Sequence, residues 1–252
     1  MRLTVLGKSP SWADRDGACS GYLASVGGLA LLIDCGSGVF AKLRREIPYE
    51  SLGAIVVSHL HADHVLDLVP FAYALTYGPT RPAERPALYV PPGGRATLRA
   101  LSGLWGADKL IDDAFAVEEY DVDGELAVGA ARLRFCRVPH YVPSHAIELR
   151  ERGTSRRLVF SADCGPNDAL AGFARGAELL LIESTLLDGD GVEPAGHLTA
   201  AQAGAIGRAA GATRLVLTHF SDQLDAGLLA SRAEAEFGAA VELAAAGERY
   251  EL

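Results

Sequence analysis

Short apolar runs, each closed by a turn, recur along the chain and predict strands. The predicted strands are Leu3–Leu6, Gly21–Val26, Leu29–Asp34, Ala54–Ser58, Phe115–Tyr120, Leu133–Val138, Ile147–Arg150, Arg157–Ser161, Leu179–Ile182, Leu215–Thr218 and Arg249–Glu251. Apolar residues at helical spacing predict the helices Val39–Glu46, Val65–Tyr77, Ala96–Trp105, Thr199–Ala210 and Leu224–Phe237. Strands interspersed with helices indicate a layered α/β sandwich.

The pattern contains no internal repeat, low-complexity tail or long linker. The stretch Gly78–Pro86 holds three prolines and is expected to be a loop, but it is too short to separate two domains. We therefore expect a single domain over residues 1–252.

Composition and charge narrow the function classes. The formal charge is −9 and the pI is about 5.3, which argues against a protein that binds nucleic acid through bulk charge. There is no run of about 20 apolar residues that would span a membrane, and the first apolar run is too short for a signal peptide. We expect a cytoplasmic protein without membrane association, whose four cysteines stay reduced.

The strongest chemical signal is a cluster of histidines. Of the seven in the chain, three lie in the segment His59–His64, whose pattern is His-x-His-x-Asp-His. The apolar strand Ala54–Ser58 leads directly into this segment. A strand that ends in a tight loop brings several side chains to one place, and imidazole nitrogens with carboxylate oxygens suit Zn²⁺. The segment therefore predicts a metal site.

This segment resembles the signature of the metallo-β-lactamase superfamily, and the resemblance covers nearly the whole chain. It implies a four-layered αβ/βα sandwich with one or two metals between its sheets. Within the superfamily, the chain is most similar to the ribonuclease Z branch and the related cyclic-nucleotide phosphodiesterases. Ser20–Leu23 and Leu31–Gly36 match that branch, whereas its usual Gly-Thr-Gly is replaced by Gly7–Ser9.

The resemblance also implies a set of metal ligands, because three further residues at predicted strand ends match the branch's later motifs in order. Carried over to this sequence, the first metal is held by His59, His61 and His140, the second by Asp63, His64 and His219, and both by a bridging Asp163. We expect two divalent ions, zinc first, although such ligands also accept manganese or iron. His145 competes with His140, but it stands where the branch usually has an aromatic or apolar residue.

A second motif concerns proton transfer. The segment Gly196–Thr199 resembles the His-x-Thr motif of ribonuclease Z, with Leu198 in place of the usual serine. The resemblance implies that His197 donates a proton to the leaving oxygen, that Glu183 orients it, and that Asp63 orients the attacking water. The residues Thr199 and Gln202 fit a capping box, so a helix should begin there, with an N-terminus that attracts phosphate.

Three substrate classes remain open at this point: a small phosphodiester such as a cyclic nucleotide, the 3′ end of tRNA, and a carbon substrate (lactone, thioester or β-lactam). The acidic chain, and a short turn at Arg150–Arg157 where the branch has a long tRNA-binding arm, disfavour RNA. The His-x-Thr motif, and the absence of Thr-Pro-Gly-His in Arg137–Pro143, disfavour the carbon substrates. We therefore expect a phosphodiesterase for a small substrate. Relatives are often dimers, so a homodimer is compatible with the sequence.

Overall fold

Two sheets face each other in the computed structural model, which describes residues 1–188 and 196–252. The first part of the chain forms β1 (Arg2–Gly7), β2 (Gly21–Val26), β3 (Leu29–Ile33), α1 (Val39–Glu46), β4 (Ala54–Val56), α2 (Ala62–Val65), α3 (Leu68–Tyr77), β5 (Ala87–Val90), α4 (Gly94–Gly103), α5 (Leu110–Ala114) and β6 (Ala116–Glu119). The second part forms β7 (Glu125–Val128), β8 (Ala131–Val138), β9 (Ser144–Glu151), β10 (Arg157–Phe160), α6 (Asp168–Phe173), β11 (Leu179–Glu183), α7 (Ala200–Ala210), β12 (Arg214–Thr218), α8 (Ala226–Phe237), β13 (Glu242–Leu243) and β14 (Arg249–Glu251).

Within the described residues, each sheet has seven strands, in the orders β14-β1-β2-β3-β4-β5-β6 and β13-β12-β11-β10-β9-β8-β7. One apolar cluster fills the space between the sheets, where Tyr22 of the first contacts Phe160 of the second. A second cluster joins α1, α3, α4 and α5 to the first sheet, and a third joins α6, α7 and α8 to the second. The predicted four-layered αβ/βα sandwich is confirmed. Because the central strands are buried on both faces, they appear in the sequence as continuous apolar runs.

The structure departs from the predicted elements in a few places. The strands β5, β7 and β13 and the helices α5 and α6 were not predicted, and β9 begins earlier than expected because its polar residues Ser144 and His145 are buried. The predicted helix Val65–Tyr77 is divided into α2 and α3. Its break lies at Asp67, whose N–H donates to the carbonyl of Cys35 instead of continuing the helix.

The neighbouring strands β3 and β4 are parallel, as are β10, β11 and β12, so the carboxyl ends of these strands lie at shared edges. Three residues just beyond strand ends have left-handed backbone although none is glycine: Asp34 (φ 59°), Ala162 (φ 53°) and His219 (φ 55°). Such conformations cost energy and concentrate at functional sites. No helix in the described ranges combines the length and apolar character required to cross a bilayer.

Helices α7 and α8 pack closely at Gly204, where an added Cβ would lie 2.2 Å from the carbonyl oxygen of Ala233. We expect Gly204→Ala to lower the free energy of unfolding by about 1–3 kcal/mol, because the two helices would have to separate. Gly172, in α6, is the matched control: an added Cβ there has no described neighbour within 4 Å. Gly172→Ala should raise stability by about 0.5–1 kcal/mol through helix propensity. Urea unfolding of both variants measures the two effects, and equal destabilisation would contradict close packing at Gly204.

Candidate metal centre

The seven predicted ligands lie together at the facing edges of the two sheets, and they form two groups. The first group is His59, His61, His140 and Asp163, and the second is Asp63, His64, Asp163 and His219. Within each group, one nitrogen or oxygen atom of every member lies within 4.8 Å of the others. Asp163 belongs to both groups, which is the position expected of a bridging ligand.

Each sheet supplies part of each group, because the donors follow strand ends. The segment His59–His64 follows β4 of the first sheet, whereas His140, Asp163 and His219 follow β8, β10 and β12 of the second. The carboxylate of Asp163 lies 3.3 Å from Nε2 of His64 and 3.2 Å from Nε2 of His219. Nε2 of His219 also lies 3.2 Å from Oδ2 of Asp63.

Several buried atoms in these groups have unused bonding capacity. Among residues 1–188 and 196–252, no hydrogen-bond partner is found for Nε2 of His59, Nε2 of His64 or Oδ1 of Asp163. An unpaired polar atom in the interior is costly and therefore rare. Divalent cations, one at each group, would satisfy these atoms, so the donor set fits metal ions.

In four of the histidines, the Nδ1 atom already has a hydrogen-bond partner outside the two groups. Nδ1 of His64 donates to Asp34 (2.7 Å), and Nδ1 of His140 donates to the carbonyl of Gly196 (2.7 Å). Nδ1 of His219 lies 2.8 Å from Oγ1 of Thr185, and Nδ1 of His59 lies 3.1 Å from the Ser58 hydroxyl. Such outer partners fix the tautomer and orientation of metal-binding histidines. Thr185 was not identified from the sequence, although it stands two residues after Glu183.

Asp34 supports the histidine segment more widely. Besides His64, its carboxylate accepts the backbone N–H of Ser58 (2.7 Å) and the hydroxyl of the same residue (2.8 Å). These bonds tie the end of β3 to the start of the segment His59–His64. The sequence placed Asp34 at a strand end but gave no sign of its partners.

Burial and neighbouring charges set the protonation of the groups. Burial lowers the pKa of His59 well below its ordinary value and also lowers the pKa of His61 and His140, which favours the neutral, metal-binding form. Burial raises the pKa of Asp163, but the charges of His219 and His64 outweigh it and hold that pKa well below its usual range. Burial lowers the pKa of His64, but Asp163 and Asp34 raise it well above normal, so metal binding there would release a proton.

His197 lies beside the two groups. Its Nδ1 is 2.9 Å from Oε1 of Glu183, and its ring centroid is 5.0 Å from that of His140 and 5.6 Å from that of His219. Glu183 is fully buried, and its carboxylate also accepts the N–H groups of Cys164 and Leu198. Burial lowers the pKa of His197, but the hydrogen bond and charge of Glu183 outweigh it and raise that pKa. This pair therefore favours a protonated imidazole beside the candidate metals.

The predicted capping box is present: Thr199 and Gln202 exchange side-chain and backbone hydrogen bonds, and α7 begins at Ala200. Its first turn therefore starts three residues after His197.

His145, which the sequence offered as a competitor of His140, and Lys8 both lie outside the two groups. His145 is buried on β9, with Nδ1 3.3 Å from the hydroxyl of Tyr120 and 3.4 Å from the carbonyl of Ser58. Lys8 stands within the replaced Gly-Thr-Gly segment, donates to the carbonyl of Phe220 (2.7 Å) and pairs with Asp14 (2.6 Å). Lys8 therefore holds the loop that carries His219.

The chain is similar to several known proteins. A family profile described as "Beta-lactamase superfamily domain" matches residues 30–220. The chain is 33% identical over 220 residues to YhfI of Bacillus subtilis (strain 168), a probable metallo-hydrolase, with 87% of this chain and 86% of YhfI covered. It is 30% identical over 303 residues to ribonuclease Z of Myxococcus xanthus (strain DK1622), with 100% and 98% covered.

Solved structures give the same picture. The crystal structure of YhfI from Bacillus subtilis superposes with a TM-score of 0.89 at 28% identity, covering 99% of this chain and 98% of YhfI. Human tRNase Z, short form, superposes with a TM-score of 0.77 at 22% identity, covering 100% and 99% of the two chains. At that identity, the second likeness shows a shared fold.

Metal analysis tests the two groups directly. Elemental analysis of the protein should find about two divalent ions per chain, and Asp163→Ala should lose at least one, because both groups share this carboxylate. Asp34→Asn should weaken metal affinity only about 10–100-fold, since Asp34 acts through His64. Asp168→Ala, on α6, is the control and should keep its metal. Full metal occupancy in Asp163→Ala would remove Asp163 as the shared ligand.

Proposed function

The chain belongs to the beta-lactamase superfamily, and on that premise we propose that it is a dinuclear phosphodiesterase for a small substrate such as a cyclic nucleotide. Its metallo-hydrolase relative and its histidine–aspartate groups make it a metal-dependent hydrolase. We propose three things beyond this class: that the substrate is a phosphodiester, that two metal ions are bound, and that both are zinc.

In the proposed site, the first group would hold one ion and the second group the other, with Asp163 common to both. When bound, the two ions would polarise a phosphoryl oxygen and lower the pKa of an attacking water. Zinc is the expected metal because neutral imidazoles and carboxylates suit it, although manganese and iron accept the same ligands.

The pair His197–Glu183 is the observation that carries the proposal. Hydrolysis of a phosphodiester expels an alkoxide, which needs a proton as the P–O bond breaks. His197 supplies that proton, and Glu183 holds its imidazole in orientation and keeps it charged, as their 2.9 Å contact allows. Asp63, whose carboxylate lies 3.2 Å from Nε2 of His219, orients the attacking water.

The hairpin between β9 and β10 supports a small substrate over tRNA. Most of the arginines that the sequence places there are paired: Arg150 and Arg157 with the buried Glu148, and Arg156 with Glu151 at 3.4 Å. Paired arginines on a chain of charge −9 attract a polyanion weakly. Since ribonuclease Z is among the relatives, cleavage of tRNA 3′ ends is the alternative function, and lactone, thioester or β-lactam hydrolysis is the other.

A substrate panel tests the proposed function. Metal-loaded protein should turn over bis-p-nitrophenyl phosphate and 2′,3′- or 3′,5′-cyclic nucleotides far better than pre-tRNA, nitrocefin, a lactone or a thioester. The measurement is kcat/KM for each compound at physiological salt. Efficient, site-specific cleavage of pre-tRNA 3′ trailers would favour the ribonuclease alternative. Preferred hydrolysis of a lactone, thioester or β-lactam would contradict both phosphodiester functions.

The role of His197 is tested separately from metal binding. His197→Ala should keep its metals and lose turnover by roughly 10²–10⁴-fold, because the leaving oxygen lacks its proton donor. The loss should be smaller for p-nitrophenolate, which departs without a proton, than for an alkoxide. Glu183→Gln should show a weaker form of this pattern.

The metal content of His197→Ala is the essential control, because Glu183, His197 and His219 also bring donor atoms within 4.8 Å of one another. If this variant loses metal, His197 is a ligand. If good and poor leaving groups are slowed equally, His197 binds substrate and another group supplies the proton.

A further inference from the structure

An apolar cavity is lined in part by residues that neighbour predicted metal ligands in the sequence. It has a volume of about 280 Å³ and is lined by Leu60, Pro91, Pro92, Thr97, Val142 and Pro143. None of these lining side chains is charged, in contrast to the groups beside them. By contrast, the hollow lined by Arg99, Asp108, Lys109, Asp112 and Asp113 is bordered almost entirely by charged residues.

The backbone connects this cavity directly to the metal ligands. Leu60 stands between the predicted ligands His59 and His61, and Val142 follows His140 by two residues. The side chain of Leu60 extends toward the start of α4, since a Cβ added to Gly94 would lie 3.5 Å from its Cδ2. A substrate whose phosphate lies at the metal centre could therefore extend one substituent between Leu60 and Val142.

The chemistry of the lining defines what that substituent can be. The only hydroxyl among the lining side chains belongs to Thr97, and it already donates to the carbonyl of Gly93 at 3.1 Å. A charged group in this cavity would lose hydration without gaining a partner. Apolar or aromatic groups are stabilised by burial there. The volume is sufficient, because an apolar cavity of about 150 Å³ already accommodates benzene.

We propose that this cavity is the subsite for an uncharged aromatic or alkyl ester group of the substrate. The inference rests on the proposed function, because it assumes that a phosphodiester is bound at the metal centre, and it adds the substrate class: a diester with one apolar or aromatic arm. A nucleobase in the cavity would be held by contact area and not by hydrogen bonds to its edge. Changing one base for another should therefore alter the binding affinity little, whereas removing the ring should lower it strongly.

Binding of phosphonates tests the subsite without any turnover, because their C–P bond is not hydrolysed. Calorimetry with metal-loaded protein should show phenylphosphonate binding at least about tenfold more tightly than methylphosphonate, a difference of about 1.4 kcal/mol. Thr97 is exposed on α4, so it tolerates substitution. Thr97→Phe fills the cavity and Thr97→Glu places a charge in it, and both should abolish the preference for the phenyl group.

Matched variants at Ala96, also exposed on α4 but not lining the cavity, control for changes in the helix. Ala96→Phe and Ala96→Glu should keep the preference. Equal affinity for the two phosphonates in the unmodified protein, or a preference that survives both Thr97 variants, would overturn the subsite. The subsite would also be overturned if Tyr141→Ala lost the preference while both Thr97 variants kept it. The substituent would then lie on the exposed ring of Tyr141, whose centroid is 5.9 Å from that of His197.

Failure of the subsite and failure of the proposed function give different results. If phenylphosphonate is preferred but no phosphodiester in the panel is hydrolysed, the subsite stands and the proposed activity fails. If phosphodiesters are hydrolysed but methyl and phenyl ligands bind equally, the activity stands and the subsite fails.

Discussion

The carboxylate of Asp163 lies where water barely reaches it, and nitrogen atoms of His59, His64, His140 and His219 surround it at 3.2 to 3.9 Å. Moving such a charge out of water costs several kcal/mol unless opposite charge and hydrogen bonds compensate. The histidines that provide compensation come from both sheets. The position of Asp163 therefore depends on the two sheets packing face to face, and the candidate site exists only in the assembled sandwich.

Backbone geometry at the strand ends also helps to place Asp163 between the two sheets. Ala162 and His219 adopt left-handed conformations that cost a non-glycine residue about 1–2 kcal/mol. Both turn the chain sharply where a parallel strand ends, and Asp163 and His219 are thereby directed toward the opposite sheet. The buried β10, β11 and β12 offset this strain through their ladder and their apolar contacts. The sheet is thus the support that holds an unfavourable turn in place.

Much of the candidate site could be predicted from the sequence because its members follow apolar strands. His140, Asp163 and His219 are each preceded by such a run, and the resemblance to the superfamily's motifs then assigned them to one site. The outer partners could not be predicted in this way. Thr185 contacts His219 and Asp34 contacts His64 across long sequence separations, and only packing brings these segments together.

The same reasoning explains which parts of the fold were predicted. The apolar runs of β3, β4, β11 and β12 mark strands that are buried on both faces. The short β5 and β7 carry no such run, and the break before α3 depends on a hydrogen bond from Asp67 to a distant carbonyl. The apolar cavity was also invisible in the sequence, because its prolines at 91, 92 and 143 come from separate segments.

The division of the ligands between the sheets makes metal binding a matter of stability as well as chemistry. Each group takes two donors from the loop after β4 and two from the second sheet. A bound ion would therefore act as a reversible cross-link between the halves of the sandwich. Its contribution grows with the free metal concentration, by about 2.7 kcal/mol when that concentration is 100 times the Kd. The supply of metal ions in the surroundings would thus set how firmly the two halves of the molecule hold together.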